Sequence, residues 1–341
     1  MKLKEIIEMT DKENMLEKLV AFAEQCREAY CLADSLNLEA PGKILFCGMG
    51  GSAIGGDIIK AVCNNSSSIP VFVNRDYIIP SWVDKDTLVI IMSYSGNTEE
   101  TISAFKKGRK SGCKLLCLSS NGKIEALSLK CAVPFVRIPS GYPPRCAFGY
   151  LFFPCYRILG SFGAVKPLRP SIFNMIEKWI NEFSPDKKDN MAIKLAEMFH
   201  DKVPLLYSNN SLQPALLRWK TQIAENSKSF SFVNALPEMN HNEIMAWRYP
   251  EKFIKNAVPA FIEAKKEHPR IKLRFEITKE IISRVQHNIV TVKAEGNSLT
   301  ENLLYLVILG DWISFYLAIF NKTDPAEIDE INILKKQLGG K

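Results

Sequence analysis

Histidine is scarce in this chain: four among 341 residues, at His200, His241, His268 and His287. None pairs with a cysteine at zinc-ligand spacing, so neither a structural nor a catalytic zinc is expected. Cysteine is missing from the second half altogether. All nine cysteines lie at or before Cys155, and an odd number confined to one half makes a poor disulfide framework. It points to a reducing compartment. Unbroken hydrophobic runs are lacking too. The most apolar stretch, 303–320, is interrupted by Gly310 and Asp311, and residues 1–24 are charged, with helical spacing and no apolar signal core. No membrane span and no secretory signal are expected, and the chain is expected to be cytoplasmic. Blocks of one charge are also absent. The net charge is +7, but the lysines are dispersed, which argues for a mild pull on anionic metabolites and against nucleic-acid binding.

What is present is ordinary globular material, 47% hydrophobic and 24% charged, with enough length for two domains. Apolar residues at helical spacing over 12–36 predict one amphipathic helix. Short apolar runs at 44–47, 71–73, 88–92, 115–118 and 135–138 then alternate with helical stretches. That rhythm means βα units and a parallel sheet covered on both faces. It breaks at 166–170 (KPLRP), a linker, followed by helices over 172–183 and 189–200. The alternation restarts with strands at 203–208 and 229–233, an ambiguous element at 253–264, and strands at 273–277 and 289–293 around a helix. A long apolar helix is expected over 299–320, in a core or near a subunit contact. The expected division is 1–165 for the N-terminal helix and first domain, 166–200 for linker and helices, and 201–341 for a second domain of the same kind.

Two loops carry chemistry. Gly48-x-Gly50-x-x-Ala53 follows the first strand and fits a relaxed dinucleotide fingerprint. The second strand, however, ends in Asn74 and Arg75 rather than in an acid, so a nicotinamide cofactor is disfavoured and no cofactor is expected. The second loop, Ser93-Tyr94-Ser95-Gly96-Asn97-Thr98, joins a buried strand to a helix starting near Glu99. Free N–H groups and the positive end of a helix dipole suit an anion there. Without a Walker lysine, a cradle of neutral hydroxyls fits one phosphate monoester. The plain alternative is that the hydroxyls only cap the helix.

The motifs GMGGSAIGGD, SYSGNTEET, PPRCAFGY, RWKTQIAEN, PEMNHNE and GDWISFYLAIF, then DP and ILKKQL, occur in that order over about residues 40–338. In this the chain resembles the bifunctional phosphoglucose/phosphomannose isomerases, two-domain members of the sugar isomerase (SIS) family. The resemblance implies an α/β fold of two doubly wound, flavodoxin-like SIS domains, each a mostly parallel sheet flanked by helices. It implies a metal-independent isomerase that interconverts glucose 6-phosphate and mannose 6-phosphate with fructose 6-phosphate through an enediolate. Gly51, Ser52, Ser93, Ser95 and Thr98 match phosphate-binding positions. Arg145 matches the arginine that steadies the enediolate, Glu225 the proton-transferring base, and His241 the ring-opening acid/base. Lys335 or Lys336 matches a lysine close to the substrate. A homodimer is implied, with His241 contributed by the neighbouring subunit.

Each residue also has a plain alternative. Glu225 could be a solvated charge or pair with Lys220 or Lys228, and Arg145 could sit in a surface ion pair. Glu238 and Glu243 are rival bases, and Glu243 could instead orient His241. Arg218, two turns from Glu225 on one helical face, is read as structural. Cys146 stands where a smaller residue is expected, and Ala326-Glu327-Ile328 departs from the family's Thr/Pro-rich form. Two other functions stay open: a non-catalytic sugar-phosphate-binding SIS regulator, and an aminosugar-phosphate isomerase.

Overall fold

The computed structural model describes residues 3–339 and divides into two compact units. One comprises 21–178 with 298–303. The other comprises the chain up to residue 20, 179–297, and the chain from 304 onward. The chain opens with α1 (Leu3–Thr10). The single helix expected over 12–36 is two, α2 (Met15–Val20) and α3 (Phe22–Cys31), parted at Ala21. The start of α2 has a local cause: the Asp11 carboxylate accepts the backbone N–H of Met15 at 2.7 Å and of Leu16 at 2.9 Å.

The 21–178 unit holds β1 (Lys43–Cys47), α4 (Gly50–Asn64), β2 (Val71–Asn74), β3 (Thr87–Met92), α5 (Glu99–Ser111), β4 (Lys114–Ser119), α6 (Gly122–Lys130), β5 (Phe135–Arg137) and α7 (Phe148–Ser161). All strand pairs are parallel, in the order β2-β1-β3-β4-β5. Every residue of β3 is buried, as an apolar run covered on both faces requires. One face packs Leu45, Val89, Ile91 and Cys117 against Ala104, Phe105 and Ile124 of α5 and α6. In this order the chain leaves β1 toward one edge and β3 toward the other. The crevice at the carboxyl ends of these two strands is the switch point where doubly wound sheets bind ligands. The linker then leads into α8 (Ser171–Phe183).

The other unit follows the same plan with one strand fewer. It contains α9 (Met191–Phe199), β6 (Val203–Asn209), α10 (Gln213–Ser227), β7 (Phe232–Leu236), α11 (Glu251–Asn256), β8 (Ala257–Glu263), α12 (Pro269–Ser283) and β9 (Val290–Lys293). The strands are parallel in the order β7-β6-β8-β9. Residues 253–264 are both helix and strand, α11 running directly into β8. The strand expected at 273–277 is helix. Pro269 opens α12, the His268 ring accepts the N–H of Arg270 at 3.2 Å, and Phe275, Thr278 and Ile282 are buried at helical spacing. Two helices follow, α13 (Leu299–Phe320) and α14 (Asp329–Gly339). Among the described residues α13 alone is long and apolar enough to cross a membrane, but 94% of its most apolar window is buried inside the protein. It is a core helix.

Candidate active site

The loops after β1 and β3 lie side by side because Cys47 and Ile91 are register partners. Each runs into a helix N-terminus. α4 begins within the glycine-rich stretch, at Gly50, which puts Gly51 and Ser52 in its first turn. Thr98 is the N-cap residue of α5, yet its side chain makes no capping bond. Instead the Ser93 hydroxyl donates to Thr98 Oγ1 at 3.0 Å, and the N–H of Tyr94 donates to Ser52 Oγ at 3.4 Å, tying the two loops together. Ser52 and Ser93 are buried, Thr98 is half-buried and Ser95 is exposed. Gly96 has φ +66°, and a Cβ there would lie 1.7 Å from the carbonyl oxygen of Asn121, so only glycine fits. Asn97 Oδ1 accepts the N–H of Lys123 at 3.1 Å, which fastens the loop to α6. Two helix N-termini and a set of hydroxyls thus meet at the switch point, an arrangement suited to one phosphate. Where a dinucleotide would want an acid at the end of β2, Arg75 stands in an ion pair with Asp57 of α4.

Arg145 belongs to the same unit. The Tyr94 hydroxyl donates to the Pro139 carbonyl at 3.0 Å and accepts the N–H of Tyr142 at 2.8 Å, holding the segment that leads to Pro143-Pro144-Arg145. Arg145 sits in a 3-10 turn, Pro144–Cys146, and is only 3% exposed, which does not fit a surface ion pair. A Cβ on Gly51 would stand 3.3 Å from the Arg145 Cα. Gly51 therefore lets the start of α4 approach the arginine's backbone closely. Cys146 is buried.

In the other unit Glu225 lies in the last turn of α10, half-buried. The helix is fixed to α13 by a polar seam one position away. Arg218 Nε and Nη2 donate to the two oxygens of Asp311 at 2.8 and 2.7 Å, Gln222 donates to Asp311 at 2.9 Å, and Asn226 donates to Ser314 at 2.9 Å. Arg218, read from the sequence as structural, is bound into this seam through Asp311. Trp219 closes the same contact, donating to the Leu306 carbonyl at 2.6 Å, and a Cβ on Gly310 would overlap its ring at 2.1 Å. Just past Glu225, the Lys228 ammonium donates to the Asp324 carbonyl at 2.7 Å, and Asn321 donates to the Ser227 carbonyl at 2.8 Å. The divergent segment 326–328 therefore follows directly on a loop fastened to the end of α10.

His241 ends a 3-10 turn, Glu238–His241, after β7, and its side chain is exposed. Both rival carboxylates are engaged. Asn242 donates to Glu238 at 2.7 Å. Glu243 takes the Tyr207 hydroxyl on one oxygen at 2.6 Å and the Asn234 amide on the other at 2.7 Å. Burial first, and the Glu243 carboxylate second, push the Tyr207 phenol well above its ordinary value, so it stays a donor. Glu243 thus fastens the loop to β6 and β7. Asn240, next to His241, is gripped from α12: Arg274 donates to its Oδ1 at 3.2 Å, and its Nδ2 donates to Thr278 at 2.8 Å. These three residues, with Ile244, Arg270, Leu273 and Ile277, line a cavity of about 220 Å³. Lys335 and Lys336 lie exposed on α14.

Gly51, Ser52, Ser93, Ser95, Thr98 and Arg145 therefore share one sheet end. Glu225, His241 and Lys335 occupy three different elements of the other unit. Tyr94, Tyr207, Arg274 and Thr278 are the supports that sequence reasoning missed. Each acts across long sequence separation; Tyr207, Arg274 and Thr278 lie outside the motifs, and Tyr94 sits inside SYSGNT among the hydroxyls that drew the reading.

Known proteins agree with this architecture. A family model of the SIS domain matches residues 37–129, and one described as the bacterial phospho-glucose isomerase C-terminal SIS domain matches 188–338. A solved structure, a hypothetical protein from Thermus thermophilus, shares the fold with TM-score 0.78 at 14% identity, covering 99% of this chain and 93% of that one. Two SIS domains in a single chain define the class. The bifunctional phosphoglucose/phosphomannose isomerase of Caldicellulosiruptor bescii is 34% identical over 334 residues, 95% of this chain and 98% of the relative. That of Aquifex aeolicus is 36% identical over 297 residues, 86% of this chain and 90% of the relative. The chain belongs to the bifunctional phosphoglucose/phosphomannose isomerase family.

Proposed function

We propose that this protein is an aldose–ketose isomerase that interconverts glucose 6-phosphate and mannose 6-phosphate with fructose 6-phosphate. One observation carries the reading: identity of 34% to a bifunctional phosphoglucose/phosphomannose isomerase over 98% of that enzyme's length. In the proposed mechanism Ser52, Ser93, Ser95, Thr98 and the two helix N-termini hold the phosphate. His241 opens the ring, a task suited to an imidazole, which can both give and take a proton. Glu225 takes the proton from one of C1 and C2 and returns it to the other. Arg145 steadies the negative charge that develops on the enediolate oxygens, and acts mainly in the transition state. Lys335 or Lys336 assists close to the substrate.

The protein is proposed to act as a homodimer, with His241 serving the neighbouring subunit's substrate. The exposure of His241, and of Phe230 (81%), Met245 (61%) and Tyr249 (77%) around it in the chain, supports this reading.

A coupled assay with each aldose phosphate, with and without EDTA, tests the proposal. Both substrates are expected to turn over at a rate that EDTA leaves unchanged. Fructose 6-phosphate recovered from heavy water is expected to carry deuterium at C1, which a non-catalytic binder cannot introduce. Turnover of an aminosugar phosphate alone, or no exchange at all, would overturn the reading.

A further inference from the structure

We infer that Gln25 is a positioning residue for Arg145: its side-chain amide brackets the peptides that follow the arginine and fixes where the guanidinium is presented. The inference rests on the role proposed for Arg145.

Gln25 lies on α3, far from the loops in sequence, and is only 2% exposed. Its helix buries Phe22, Ala23, Cys26 and Ala29 on the same side. An amide in such a place must find partners on both its ends or weaken the fold. Gln25 finds them in one short segment. Its Nε2 donates to the carbonyl of Cys146 at 3.0 Å, and its Oε1 accepts the N–H of Gly149 at 2.8 Å. The first partner is the residue directly after Arg145. The second lies in the first turn of α7, where N–H groups have no acceptor within the helix and the N-cap residue, Ala147, supplies none. Gln25 is thus a helix cap delivered from another helix.

A Cβ at position 149 would stand 2.6 Å from the Gln25 oxygen, so glycine makes room for the amide. A Cβ on Gly51 would stand 3.3 Å from the Arg145 Cα. The turn bearing Arg145 is therefore packed closely against the first turn of α4 and bonded by the Gln25 amide. A methionine would fill the same volume on α3 without bonding that turn. A displacement of about 1 Å of a group that acts on transition-state charge costs on the order of 100-fold in rate. The loss should fall mainly on kcat, because Gln25 bonds the peptides of Cys146 and Gly149 and not the hydroxyls proposed to hold the phosphate.

The test is a double-mutant cycle of Gln25→Met and Arg145→Met, read as kcat and KM for fructose 6-phosphate, with thermal melting to confirm folding. Gln25→Met is expected to lower kcat about 10-fold or more with KM within about twofold. Arg145→Met is expected to lower kcat by about 100-fold or more. In the Arg145→Met background, Gln25→Met should add no more than about a twofold loss, since its effect passes through the arginine. Should Gln25→Met not fold, Gln25→Leu takes its place in the cycle. It likewise removes both bonds to the turn without burying a charge, and the same pattern is expected. A folded Gln25 variant with unchanged kcat, or one whose full loss recurs in the Arg145→Met background, overturns the positioning role alone. An Arg145→Met variant with undiminished kcat overturns the reading of Arg145 and the role of Gln25 with it.

Discussion

The Tyr207 hydroxyl donates to one oxygen of Glu243 at 2.6 Å, while Asn234 donates to the other at 2.7 Å. A carboxylate so occupied is poorly placed to accept a substrate proton, which argues against Glu243 as the base. Glu243→Gln is expected to keep kcat within about 10-fold of the unsubstituted enzyme, whereas Glu225→Gln should lose about 100-fold or more. Tyr207→Phe should cost about 1–2 kcal/mol in denaturant unfolding, because it leaves a partly buried acceptor short of a donor. If Glu225→Gln keeps its rate and Glu243→Gln loses it, the base has been misassigned.

The loop proposed to hold the phosphate gives a second prediction. At Gly96, φ is +66° and a side chain would collide with the Asn121 carbonyl at 1.7 Å. Gly96→Ala must therefore displace the loop from the start of α6. The expected result is a KM for sugar phosphates raised about 10-fold or more, with a lower melting temperature from the strained backbone. Ser95→Ala removes one exposed hydroxyl, which accepts the N–H of Asn97 at 3.3 Å, and introduces no clash. It should raise KM only severalfold and lower the melting temperature far less than Gly96→Ala does. Competitive inhibition by inorganic phosphate should weaken in parallel in both variants. Loss of kcat at unchanged KM would contradict a phosphate role for this loop.

The cysteines supply a prediction about pH. Burial pushes the Cys47 and Cys117 thiols from the ordinary 9.0 up to about 12. At pH 8 a thiol with a pKa of about 12 is ionised to roughly one part in 10⁴, so it is inert to alkylation. Iodoacetamide followed by peptide mass mapping should modify the exposed Cys31 first and reach Cys47 and Cys117 only after unfolding. The sign of the linkage follows. The unfolded chain ionises these thiols near pH 9 and the folded chain does not. Their contribution to stability is therefore fully present below that pH and is lost as pH rises toward 12. Urea midpoints should fall over that interval and not below it. Rapid labelling of Cys47 in the folded protein would contradict the burial account.

Strands were legible where both faces are covered. Leu88–Met92 is a continuous apolar run, and β3 is buried along its whole length. Turn chemistry was legible where glycine is obligatory, as at Gly96. Elements whose burial depends on distant partners were not. Leu273–Ile277 looks like a strand by composition, but α12 takes its period from Phe275, Thr278 and Ile282, and its start from Pro269 and His268. α7 hides for a similar reason: Pro154 interrupts its pattern, yet the helix runs through it. In the candidate site, motif residues such as Ser93 and Arg145 could be picked out from their neighbours. Tyr94, Tyr207 and Gln25 could not. Tyr207 and Gln25 lie outside the motifs and Tyr94 is overshadowed by the hydroxyls beside it in SYSGNT; the role of each comes from a bond to a segment 36 or more residues away.

The last prediction concerns what holds Glu225 in place. Arg218 and Asp311, both buried, join α10 to α13 by two parallel hydrogen bonds. Breaking such a pair from one side strands a charge and costs about 3–5 kcal/mol. The two halves should differ in their pH response. Burial raises the Asp311 carboxyl, and the Arg218 cation works against that rise. In Arg218→Met the opposing charge is gone, so the folded state holds the Asp311 proton more tightly than the unfolded state does. Stability is then greatest below the ordinary carboxyl range and falls as pH rises through the raised value. Asp311→Asn instead leaves a guanidinium that cannot lose its proton and no carboxyl to titrate, so this site gives that variant no pH dependence of its own between 5 and 8. Replacing both residues with apolar side chains (Arg218→Met with Asp311→Leu) removes both charges and should recover most of the loss. Urea unfolding of the three variants at pH 5 and pH 8 tests this. An Arg218→Met variant equally destabilised at both values would show that the carboxylate stays charged without its partner.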